Sequence, residues 1–397
     1  MPPHDEDVTV APSNDAYTQL ITTLGRSVGL DRVGICDTSV LDRARREIIR
    51  RRAAGLADTM QFTFRNPERS TDPSRALSGA LSLVVGARRY VGGLETEKSD
   101  AGNAADSNVP MARVARYAQS DHYAALRQSL NSVADRLKMD GHRAAVFVDE
   151  NDIVDREVAH KAGLGWFGKS ANILIPGGGS WYVLGSVVTT ASLTPASRPV
   201  PDGCGSCRVC IDACPTAAIV ADGVIDARRC LAWLVQKEGI FPFEHRVALG
   251  NRIYGCDDCQ DTCPPNLRFR HRHEDRPGPA DLGPDVQIFD FFELDDDRLM
   301  SRFGRWYIAG RDPTWLRRNA LIILGNVAPI PVSERVRRTI ESCLGHRDPF
   351  LRAHAVWASG RLGLPDVRQR MAADENELVR EELRRWDEIP IRTAVTG

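Results

Sequence analysis

The spacing of the cysteines constrains this chain more than any other feature. Eight of its ten cysteines fall between residues 204 and 263. Four of these read C-x2-C-x2-C-x3-C-P and end at Pro215, and three more read C-x2-C-x3-C-P and end at Pro264. Three closely spaced thiolates can hold three corners of a 4Fe–4S cubane, while the fourth thiolate of such a run reaches to a second cubane. We therefore expect this segment to fold around two clusters and to carry electrons.

The same spacing assigns ligands to each cluster. The first cluster takes Cys204, Cys207, Cys210 and, from the far motif, Cys263. For the second cluster the motifs supply Cys214, Cys256 and Cys259. A fourth thiolate is missing, because residues 251–254 contain no cysteine where a plain ferredoxin has one, and Cys230 is the obvious substitute. Structural zinc sites and disulfides are the alternatives. Cys36 and Cys343 stand apart and are expected to be plain buried cysteines.

Composition and charge exclude several classes of protein. The 397 residues carry 52 basic and 53 acidic side chains, which excludes a wholly polybasic nucleic-acid binder but allows a local basic patch. An apolar fraction of 42% excludes disorder for most of the chain. No run of about 18 apolar residues occurs. The first residues are polar and acidic and lack a secretory signal, so we expect a cytoplasmic protein without a membrane partner.

Hydrophobic periodicity predicts an α/β (α+β) domain before the cysteines. Strands are expected at 81–90 and 143–148, an amphipathic helix at 121–139, and a hairpin with a Gly-rich turn at 172–188. Helices and strands that alternate in this way indicate a mixed domain. The predicted division is a disordered N-terminus at 1–15, the α/β domain at 16–199, a ferredoxin-like domain with two 4Fe–4S clusters at 200–275, and helical repeats at 285–390.

A repeat near the C-terminus predicts paired helices. Asp312-Pro313 is echoed by Asp348-Pro349 at a period near 36 residues, which is typical of HEAT-like solenoids. Residues 301–361 contain eleven arginines and four acidic residues, so we expect a polyanion partner that is bound through its phosphates. An ordinary solvated face is the alternative. The arginines expected to make the contact are Arg317, Arg318 and Arg352.

The sequence lacks the binding motifs of several cofactors that could accept the electrons. No G-x-G-x-x-G motif opens a strand–helix unit, AGLGWFGK at 162–169 lacks the P-loop spacing, and no C-x-x-C-H haem site occurs. The D-x-H-x-x-G pattern that supplies a histidine to cobalamin cobalt begins at Asp140 with His142, but its sixth position is Ala145. A corrinoid without a protein axial ligand is still allowed.

Five segments carry a resemblance to a known family. They are FVDENDIVDR (147–156), AGLGWFGK (162–169), CGSCRVCIDACPTAAI (204–219), VIDARRCLAWL (224–234) and GNRIYGCDDCQDTCPPN (250–266). In these segments and in the order of its domains, the chain resembles epoxyqueuosine reductases over roughly residues 20–365. In that family the cysteine at the position of Cys230 completes the second cluster, in agreement with the ligand count above.

The resemblance implies two cofactors, a reaction and partners. The family binds base-off cobalamin in its N-terminal domain, beside one of its two 4Fe–4S clusters. It reduces the epoxycyclopentane of epoxyqueuosine in the tRNA anticodon loop to the cyclopentene of queuosine. Two electrons enter, and the epoxide oxygen leaves as water. The HEAT-like tail would hold the tRNA anticodon stem-loop while the wobble base enters the pocket. An external low-potential electron donor is implied as a further partner, and we expect a monomer.

The resemblance also implies roles for individual residues. Asp149 corresponds to the family's acid, and Arg156 to an arginine that positions the substrate or the acid. A partly desolvated carboxyl that faces a corrinoid can stay protonated enough to act. From the residues alone, Asp149 could equally be a turn or cap residue, and Arg156 could pair with Asp152. The residues chosen as cobalamin contacts are Ser170, Ile173, Gln236, Asp257, Asp258 and Gln260.

Two departures from the family pattern bear on the substrate. The family has Asp-Tyr-His before the long helix, whereas this chain reads Asp121-His122-Tyr123, so Tyr123 stands where the histidine near the active site belongs. Asn151 and Asp152 replace a region in which proline is usual. These departures leave open a cobalamin and iron–sulfur reductase with another substrate, of the reductive dehalogenase kind. A non-catalytic iron–sulfur electron carrier and an RNA-binding module with structural clusters are the further alternatives.

Overall fold

The computed structural model describes residues 14–90, 109–270 and 282–393, so most of the predicted disordered segment at 1–15 lies outside it. The described residues form two compact units. The first contains residues 14–55, 61–90 and 122–207, and the second contains 56–60, 109–121, 208–270 and 282–393. The domain boundaries given above stay a prediction.

Eleven strands occur within the described residues. They are β1 (Arg32–Asp37), β2 (Ser82–Arg89), β3 (Met111–Val114), β4 (Ala144–Val148), β5 (Trp166–Phe167), β6 (Ile173–Leu174), β7 (Tyr182–Thr189), β8 (Ile219–Ala221), β9 (Val224–Ile225), β10 (Arg252–Tyr254) and β11 (Asp285–Gln287).

The same residues form eighteen α-helices. They are α1 (Asn14–Ser27), α2 (Asp42–Ala53), α3 (Phe62–Arg65), α4 (Pro67–Ser70), α5 (His122–Met139), α6 (Asp155–Lys161), α7 (Val209–Asp212), α8 (Leu231–Leu234), α9 (Arg246–Leu249), α10 (Asp258–Asp261), α11 (Pro264–Arg270), α12 (Asp290–Glu293), α13 (Asp296–Phe303), α14 (Thr314–Val327), α15 (Glu334–Leu344), α16 (Pro349–Arg361), α17 (Asp366–Arg370) and α18 (Glu377–Arg384).

The first unit is built on a four-stranded sheet in the order β1-β2-β7-β4, with every neighbouring pair antiparallel. The unit is therefore an α+β fold, one of the two classes that the sequence left open. The strands predicted at 81–90 and 143–148 are confirmed as β2 and β4, and the helix predicted at 121–139 is confirmed as α5.

The hairpin predicted at 172–188 is wrong. Its second arm is β7, an inner strand that pairs with β2 and β4, whereas β6 pairs with β5. Only an isolated bridge between Ile175 and Gly179 closes the Gly-rich turn. The residues of β7 are mostly buried, and YVLGSVVT is nearly continuous in apolar residues. That pattern is typical of a strand with neighbours on both edges and cover on both faces, rather than of a hairpin arm.

Two paired glycines bring α5 close to the sheet. Gly86 of β2 and Gly185 of β7 are register partners. A Cβ atom on Gly185 would lie 2.9 Å from Leu130 Cδ1 and 2.8 Å from Val148 Cγ2, and one on Gly86 would lie 3.1 Å from Leu130 Cδ2. A larger residue at either position would push Leu130 off the sheet, and with it the helix that begins at His122.

The second unit packs small sheets among many helices. β3 pairs parallel with β10 and antiparallel with β11, and β8 pairs antiparallel with β9. One apolar core extends from β3 through α8 and α9 to the helices α12–α18. Among the described residues of both units, no helix combines the length and the apolar character that a membrane crossing needs.

The two copies of the C-terminal repeat form the matching helices α14 and α16. Asp312 Oδ1 accepts a hydrogen bond from the Thr314 amide at 2.9 Å, and Asp348 Oδ1 accepts one from the Phe350 amide at 2.8 Å. A carboxylate satisfies the unpaired amides of a first helical turn, and the proline that follows lacks such an amide. The repeated Asp-Pro pair is therefore a repeated helix start. α16 packs against α14, α15 and α18.

The expected phosphate contact through Arg318 is wrong. Arg318 is fully buried, and its guanidinium donates to the backbone oxygens of Leu234, Lys237 and Gly239 at 2.7–2.9 Å. Burial lowers the pKa of Arg318 to about 9. Arg318 satisfies backbone carbonyls at the end of α8 and in the residues that follow it. A count of arginines along the sequence cannot distinguish such a buried residue from an exposed one.

The two other arginines expected to bind phosphate are engaged within the second unit. Arg317 donates to Asp296 Oδ1 at 2.5 Å and to two backbone oxygens. Arg352 donates to both carboxylate oxygens of Asp374 at 2.7 and 3.2 Å, and both side chains are mostly buried. These arginines hold helices and loops together.

A buried ion pair joins α9 to α18. Arg246 is fully buried, and its Nη1 and Nη2 atoms donate to the two oxygens of Glu382 at 2.8 and 2.7 Å. Its Nε atom donates to the Phe241 carbonyl at 2.9 Å. Taking two charges out of water costs several kcal/mol, and the bidentate geometry offsets that cost. The loss of one partner would leave the other charge uncompensated inside the unit.

The variant Glu382→Gln therefore should be destabilised by about 3 kcal/mol, because it removes one charge of a buried pair while conserving shape. The measurement is the denaturation midpoint followed by the helical circular dichroism signal. Glu381→Gln is the matched control, since Glu381 pairs with Arg384 at the surface, and it should lose less than about 0.5 kcal/mol. Equal midpoints for the two variants would contradict this account of the ion pair.

Candidate active site and cluster ligands

An aspartate in an unusual backbone conformation directly follows strand β4. Asp149 follows Val148 with a φ of 53°. A non-glycine residue in this left-handed region costs of order 1–3 kcal/mol, and such strain concentrates at functional sites. Arg127 of α5 holds the turn, because its Nη2 atom donates to the Val148 carbonyl and to Glu150 Oε1 at 2.9 Å each.

The surroundings of Asp149 favour the neutral form of its carboxyl. The residue is exposed, yet desolvation by the neighbouring protein raises the pKa of its carboxyl above the ordinary value. Glu150 raises the pKa further, while Arg156 and Arg127 oppose the shift. A carboxyl with a raised pKa keeps a proton to higher pH and can donate it.

A second carboxyl lies within electrostatic reach of the first. Asp155 is the first residue of α6, and its Oδ1 atom is shielded from solvent and has no hydrogen-bond partner among the described residues. Burial raises the pKa of Asp155 well above its ordinary value, Asp149 and Glu150 raise it further, and Arg156 opposes the shift. Arg156 therefore lowers the pKa of both aspartates.

Arg156 is exposed and acts electrostatically on both aspartates. Its pairing with Asp152, which the sequence left open, does not form, because Asp152 makes its ion pair with Arg69. The geometry thus brings together Asp149 and Arg156, the two residues predicted to act in catalysis. Their catalytic roles stay predictions.

The ring of Tyr123 belongs to the same group. Tyr123 lies in the first turn of α5, and burial raises its pKa above the ordinary value. Asp149, Asp155 and Tyr90 raise the pKa further, and Arg156 opposes them. The residue that stands where the family carries a histidine is therefore within electrostatic reach of both carboxyls.

Sequence reasoning missed Asp155 and Arg127 as members of this group. An acidic residue in the first turn of a helix is common because it complements the helix dipole, so Asp155 carries no distinguishing signal. Arg127 has the pattern of a helix-surface arginine. Only the return of β4 alongside α5 puts its guanidinium on the Asp149 turn.

Two of the residues chosen as cobalamin contacts lie in the first unit. Ser170 is half-buried and its Oγ atom accepts a hydrogen bond from Asn172 Nδ2 at 3.3 Å. Ile173 is buried in β6. Ala171 between them has a φ of 61°, which fixes a sharp turn of the backbone at this point. Both contacts stay predictions.

The other four residues chosen as cobalamin contacts lie in the second unit. Gln236 Nε2 donates to the Ala232 carbonyl at 2.7 Å. Asp258 accepts twice from Arg252 Nη2 at 2.8 Å, so both of its oxygens already have a partner. Gln260 is buried.

Asp257 is the fourth, and it is the most distinctive of these residues. Its Oδ2 atom accepts from the Arg116 amide at 2.8 Å, while its Oδ1 atom is buried without a hydrogen-bond partner among the described residues. Burial raises the pKa of Asp257 to about 6. A buried acceptor without a donor is the kind of atom that a bound ligand satisfies.

The thiols of the second predicted cluster lie together in the second unit. Cys259 is half-buried; desolvation raises its pKa well above the ordinary value, and the neighbouring thiols raise it further. These neighbours are Cys256, Cys230, Cys210 and Cys214. The group thus includes Cys230, which lies outside the two spaced motifs.

Within the described residues, no three His, Cys, Asp or Glu side chains converge as the ligands of one metal ion do. Cys36 and Cys343 are confirmed as buried cysteines.

The predicted ligands of the first cluster are divided between the two units. Cys204 and Cys207 belong to the first unit, where the Cys207 amide donates to the Cys204 carbonyl at 2.9 Å in a tight turn. Cys210 and Cys263 belong to the second. All four thiols are half-buried. Their assignment to one cluster stays a prediction.

Comparison with known proteins defines the class of this chain. The family described as a 4Fe-4S double cluster binding domain matches residues 203–266. The chain is 35% identical to the epoxyqueuosine reductase of Vibrio cholerae, over 86% of this chain and 92% of that protein. It is 34% identical to that of Xanthomonas campestris, over 87% of this chain and 96% of the relative. It is thus an iron–sulfur protein of the double-cluster class.

Two solved structures of epoxyqueuosine reductases are similar to this chain over most of its length. A crystal structure of epoxyqueuosine reductase with an epoxyqueuosine-modified tRNA-Tyr stem loop covers 94% of this chain, with 98% of its own length matched, at 26% identity and a TM-score of 0.80. The Bacillus subtilis enzyme, with its catalytic aspartate loop swung out of the active site, covers 95% of this chain, with 99% of its own length matched, at 25% identity and a TM-score of 0.79. The chain belongs to the epoxyqueuosine reductase family.

If Cys230 completes the second cluster, Cys230→Ala should lower the iron content of the anaerobically reconstituted protein by about half, because one of two clusters loses a ligand. Iron per chain is measured by colorimetric assay and by the cluster absorbance. Cys343→Ala is the control, since Cys343 is buried away from the ligands, and it should keep the full iron content. Full iron in Cys230→Ala would exclude Cys230 as a ligand.

Proposed function

We propose that this chain reduces epoxyqueuosine to queuosine at the wobble position of tRNA, the last step in the synthesis of that nucleoside. The observation that carries the proposal is Asp149, a strained aspartate with a raised pKa at the end of β4, in a member of the epoxyqueuosine reductase family. An epoxide opened by electrons leaves an alkoxide, which is a poor product unless an acid protonates it. Asp149 is that acid.

The electrostatics around Asp149 suit a proton donor. Desolvation raises the pKa of the Asp149 carboxyl, so turnover should fall as pH rises through that pKa. Arg156 stabilises the carboxylate that remains after the transfer and orients it toward the substrate. Arg127 keeps the turn in place through the Val148 carbonyl.

Two 4Fe–4S clusters supply the electrons one at a time. The cluster in the second unit is held by Cys214, Cys230, Cys256 and Cys259. The other is held by Cys204, Cys207, Cys210 and Cys263. Burial raises the pKa of Cys256 to about 12, so its thiolate is stable only when it is bound to iron. An external low-potential donor reloads the clusters.

We propose that residues of this chain would hold cobalamin. When bound, it would supply a low-valent cobalt that is both a nucleophile and a reductant. Corrin amides donate N–H groups, and the buried Oδ1 atom of Asp257 is an acceptor that lacks a donor, so this residue fits the group. Ser170, Ile173, Gln236 and Gln260 are the further proposed contacts. Asp258 would have to share its oxygens with Arg252.

We propose that the C-terminal helices are HEAT-like repeats and that exposed arginines on α15 and before α16 contact tRNA phosphates. Arg335, Arg338 and Arg347 are exposed and border one groove of about 770 Å³. The surface ion pairs of Arg335 with Glu293 and of Arg338 with Glu334 contribute little to stability, so a phosphate can replace the carboxylate at low cost.

Replacing Arg335, Arg338 and Arg347 together by Gln should weaken binding of a tRNA anticodon stem-loop and reduce the slope of log K against log salt by up to about 3, since each phosphate contact contributes about 0.7–0.9. Fluorescence anisotropy over a salt series measures both quantities. The triple variant of Arg368, Arg380 and Arg384 on α17 and α18 is the control. If both triple variants bind alike, the phosphate contacts lie elsewhere.

Asp149→Asn should bind cobalamin and iron as the wild type does but lose about 10²–10⁴-fold in turnover, because an amide cannot donate the proton. Turnover is measured anaerobically with a chemical reductant and tRNA that carries epoxyqueuosine, read by nucleoside mass spectrometry. Asp152→Asn is the matched control, since Asp152 lies in the same loop and is paired with Arg69.

The outcomes of this comparison separate the alternatives. Unchanged turnover in Asp149→Asn would remove Asp149 from the mechanism. No conversion by the wild type, with cobalamin bound and reducible, would indicate a reductase with another substrate. No cobalamin binding at all would favour a non-catalytic iron–sulfur carrier.

A further inference from the structure

Helix α2 of the first unit is strongly basic. Its twelve residues contain six arginines and two acidic residues. Two of these arginines bind neighbouring segments of the unit. Arg45 donates to Thr71 Oγ1 at 2.9 Å, and Arg52 donates to the Phe64 carbonyl at 3.2 Å. The other four arginines need a different explanation.

Three of those four lie on one exposed face of α2. Arg43, Arg46 and Arg50 are spaced i, i+3 and i+7, which places their side chains in one row along an α-helix. All three are exposed, whereas Ala44 and Ile48 on another side of the helix are buried. With a rise of about 1.5 Å per residue, the row is about 10 Å long. These three residues form the arginine face of α2.

The stability of the helix does not explain why Arg43 and Arg46 are arginines. Both lie among the first five residues of α2, at the positive end of the helix dipole, where a further positive charge is unfavourable. Arg46 makes no hydrogen bond or ion pair with the described residues. An anion bound at the arginine face would remove the repulsion between these charges.

Arg43 is held in place for such a contact. Its Nε atom donates to Glu157 Oε1 at 3.1 Å, and its Nη2 atom donates to Glu157 Oε2. Its Cζ atom lies 4.2 Å from the centroid of the Phe167 ring. The side chain is nonetheless 47% exposed, and Nη1 has no hydrogen-bond partner within the described part of the chain. A guanidinium fixed by a carboxylate and a ring, with one nitrogen open, is a preorganised donor for a phosphate oxygen.

The contacts of α2 lead to the candidate active site. Glu157, the partner of Arg43, lies on α6 two residues after Asp155. α4, which packs against α2, ends at Ser70, and the Ser70 carbonyl accepts a hydrogen bond from the Val154 amide at 3.1 Å. Val154 belongs to the loop that follows Asp149. The arginine face therefore lies on a helix that is bonded to both segments of the candidate active site.

We propose that Arg43, Arg46 and Arg50 bind the phosphates of the tRNA anticodon loop that flank the wobble nucleoside. This inference rests on the proposed function, and it gives the first unit a phosphate-binding surface of its own. A base that leaves its stack to enter a pocket keeps its backbone outside, so the neighbouring phosphates stay at the rim of the pocket. Arginine binds phosphate oxygens through parallel hydrogen bonds from its planar guanidinium.

An RNA strand fits the arginine face better than an acidic electron-carrier protein does. A carrier has to approach the cluster ligands, whereas the hydrogen bonds of α2 and α4 lead to α6 and to the loop after Asp149. A straight row of like charges also matches the regular charge spacing of a phosphate backbone.

The test is binding of a fluorescent anticodon stem-loop that carries epoxyqueuosine, followed by anisotropy over a salt series with the full-length holoenzyme. For Arg46→Gln/Arg50→Gln we expect about tenfold weaker binding at low salt. The slope of log K against log salt should be smaller by about 1.4, because two contacts to a single strand are lost at about 0.7 each. In turnover with a chemical reductant, KM for the RNA should rise by a larger factor than kcat falls.

The double variant should keep its fold. Arg46 has no partner within the described residues, and Glu47, the partner of Arg50, keeps its ion pair with Arg51 at 3.3 Å. Circular dichroism and iron content check that each variant is folded and loaded. Arg46→Lys/Arg50→Lys should keep the wild-type salt slope and lose only part of the affinity, because the charge remains and the planar guanidinium does not.

The matched control is Arg26→Gln/Arg136→Gln, which removes the same charge from α1 and α5 of the same unit and should keep wild-type affinity and slope. Equal affinity and slope for the two Gln double variants would overturn the proposal. Unaltered RNA binding would also overturn it if turnover fell only when an acidic ferredoxin replaced the chemical reductant, since the face would then dock the electron carrier. A wild type that binds the stem-loop but converts no epoxyqueuosine would instead refute the proposed function, so the two failures are distinguishable.

Discussion

The double-cluster segment at 203–266 is the constraint on which the architecture depends. Cys259 and Cys256 are half-buried, and the surrounding protein raises the pKa of both thiols. Burial raises the pKa of Cys36 and Cys343 as well, so the distinguishing feature of Cys259 is the presence of other thiols near it. If these thiols bind iron, the metal replaces their protons, and ligand binding and folding of the second unit are then coupled.

The proposed reduction needs electrons and protons from different parts of the chain. The thiols and the buried acceptor of Asp257 are the proposed contacts of the electron carriers. Asp149 after β4 and Asp155 at the start of α6 have pKa values that are raised by burial, and Asp149 raises the pKa of Asp155 further. An aspartate in a left-handed conformation costs stability, and the clamp by Arg127 keeps that conformation in place.

Sequence reasoning reached the parts of this account that depend on local pattern. The cysteine spacing predicted the double-cluster segment, and the apolar run before Asp149 predicted the strand that ends there. Long-range pairing decides the remainder. β7 is an inner strand and not the predicted hairpin arm, and its continuous apolar run is the signal for that place. Arg318 is buried and not at the surface, and composition cannot reveal that its guanidinium donates to backbone carbonyls in the core. Asp155 was missed because a helix start explains an acidic residue equally well.

The most direct test of the central claim is anaerobic incubation of the reconstituted protein with cobalamin, a chemical reductant and tRNA that carries epoxyqueuosine. The tRNA is then digested to nucleosides, and their masses are measured by mass spectrometry. The account predicts the loss of one oxygen from the modified nucleoside, dependent on both cobalamin and reductant. Epoxyqueuosine recovered intact from a protein with both clusters assembled and cobalamin reduced would contradict it.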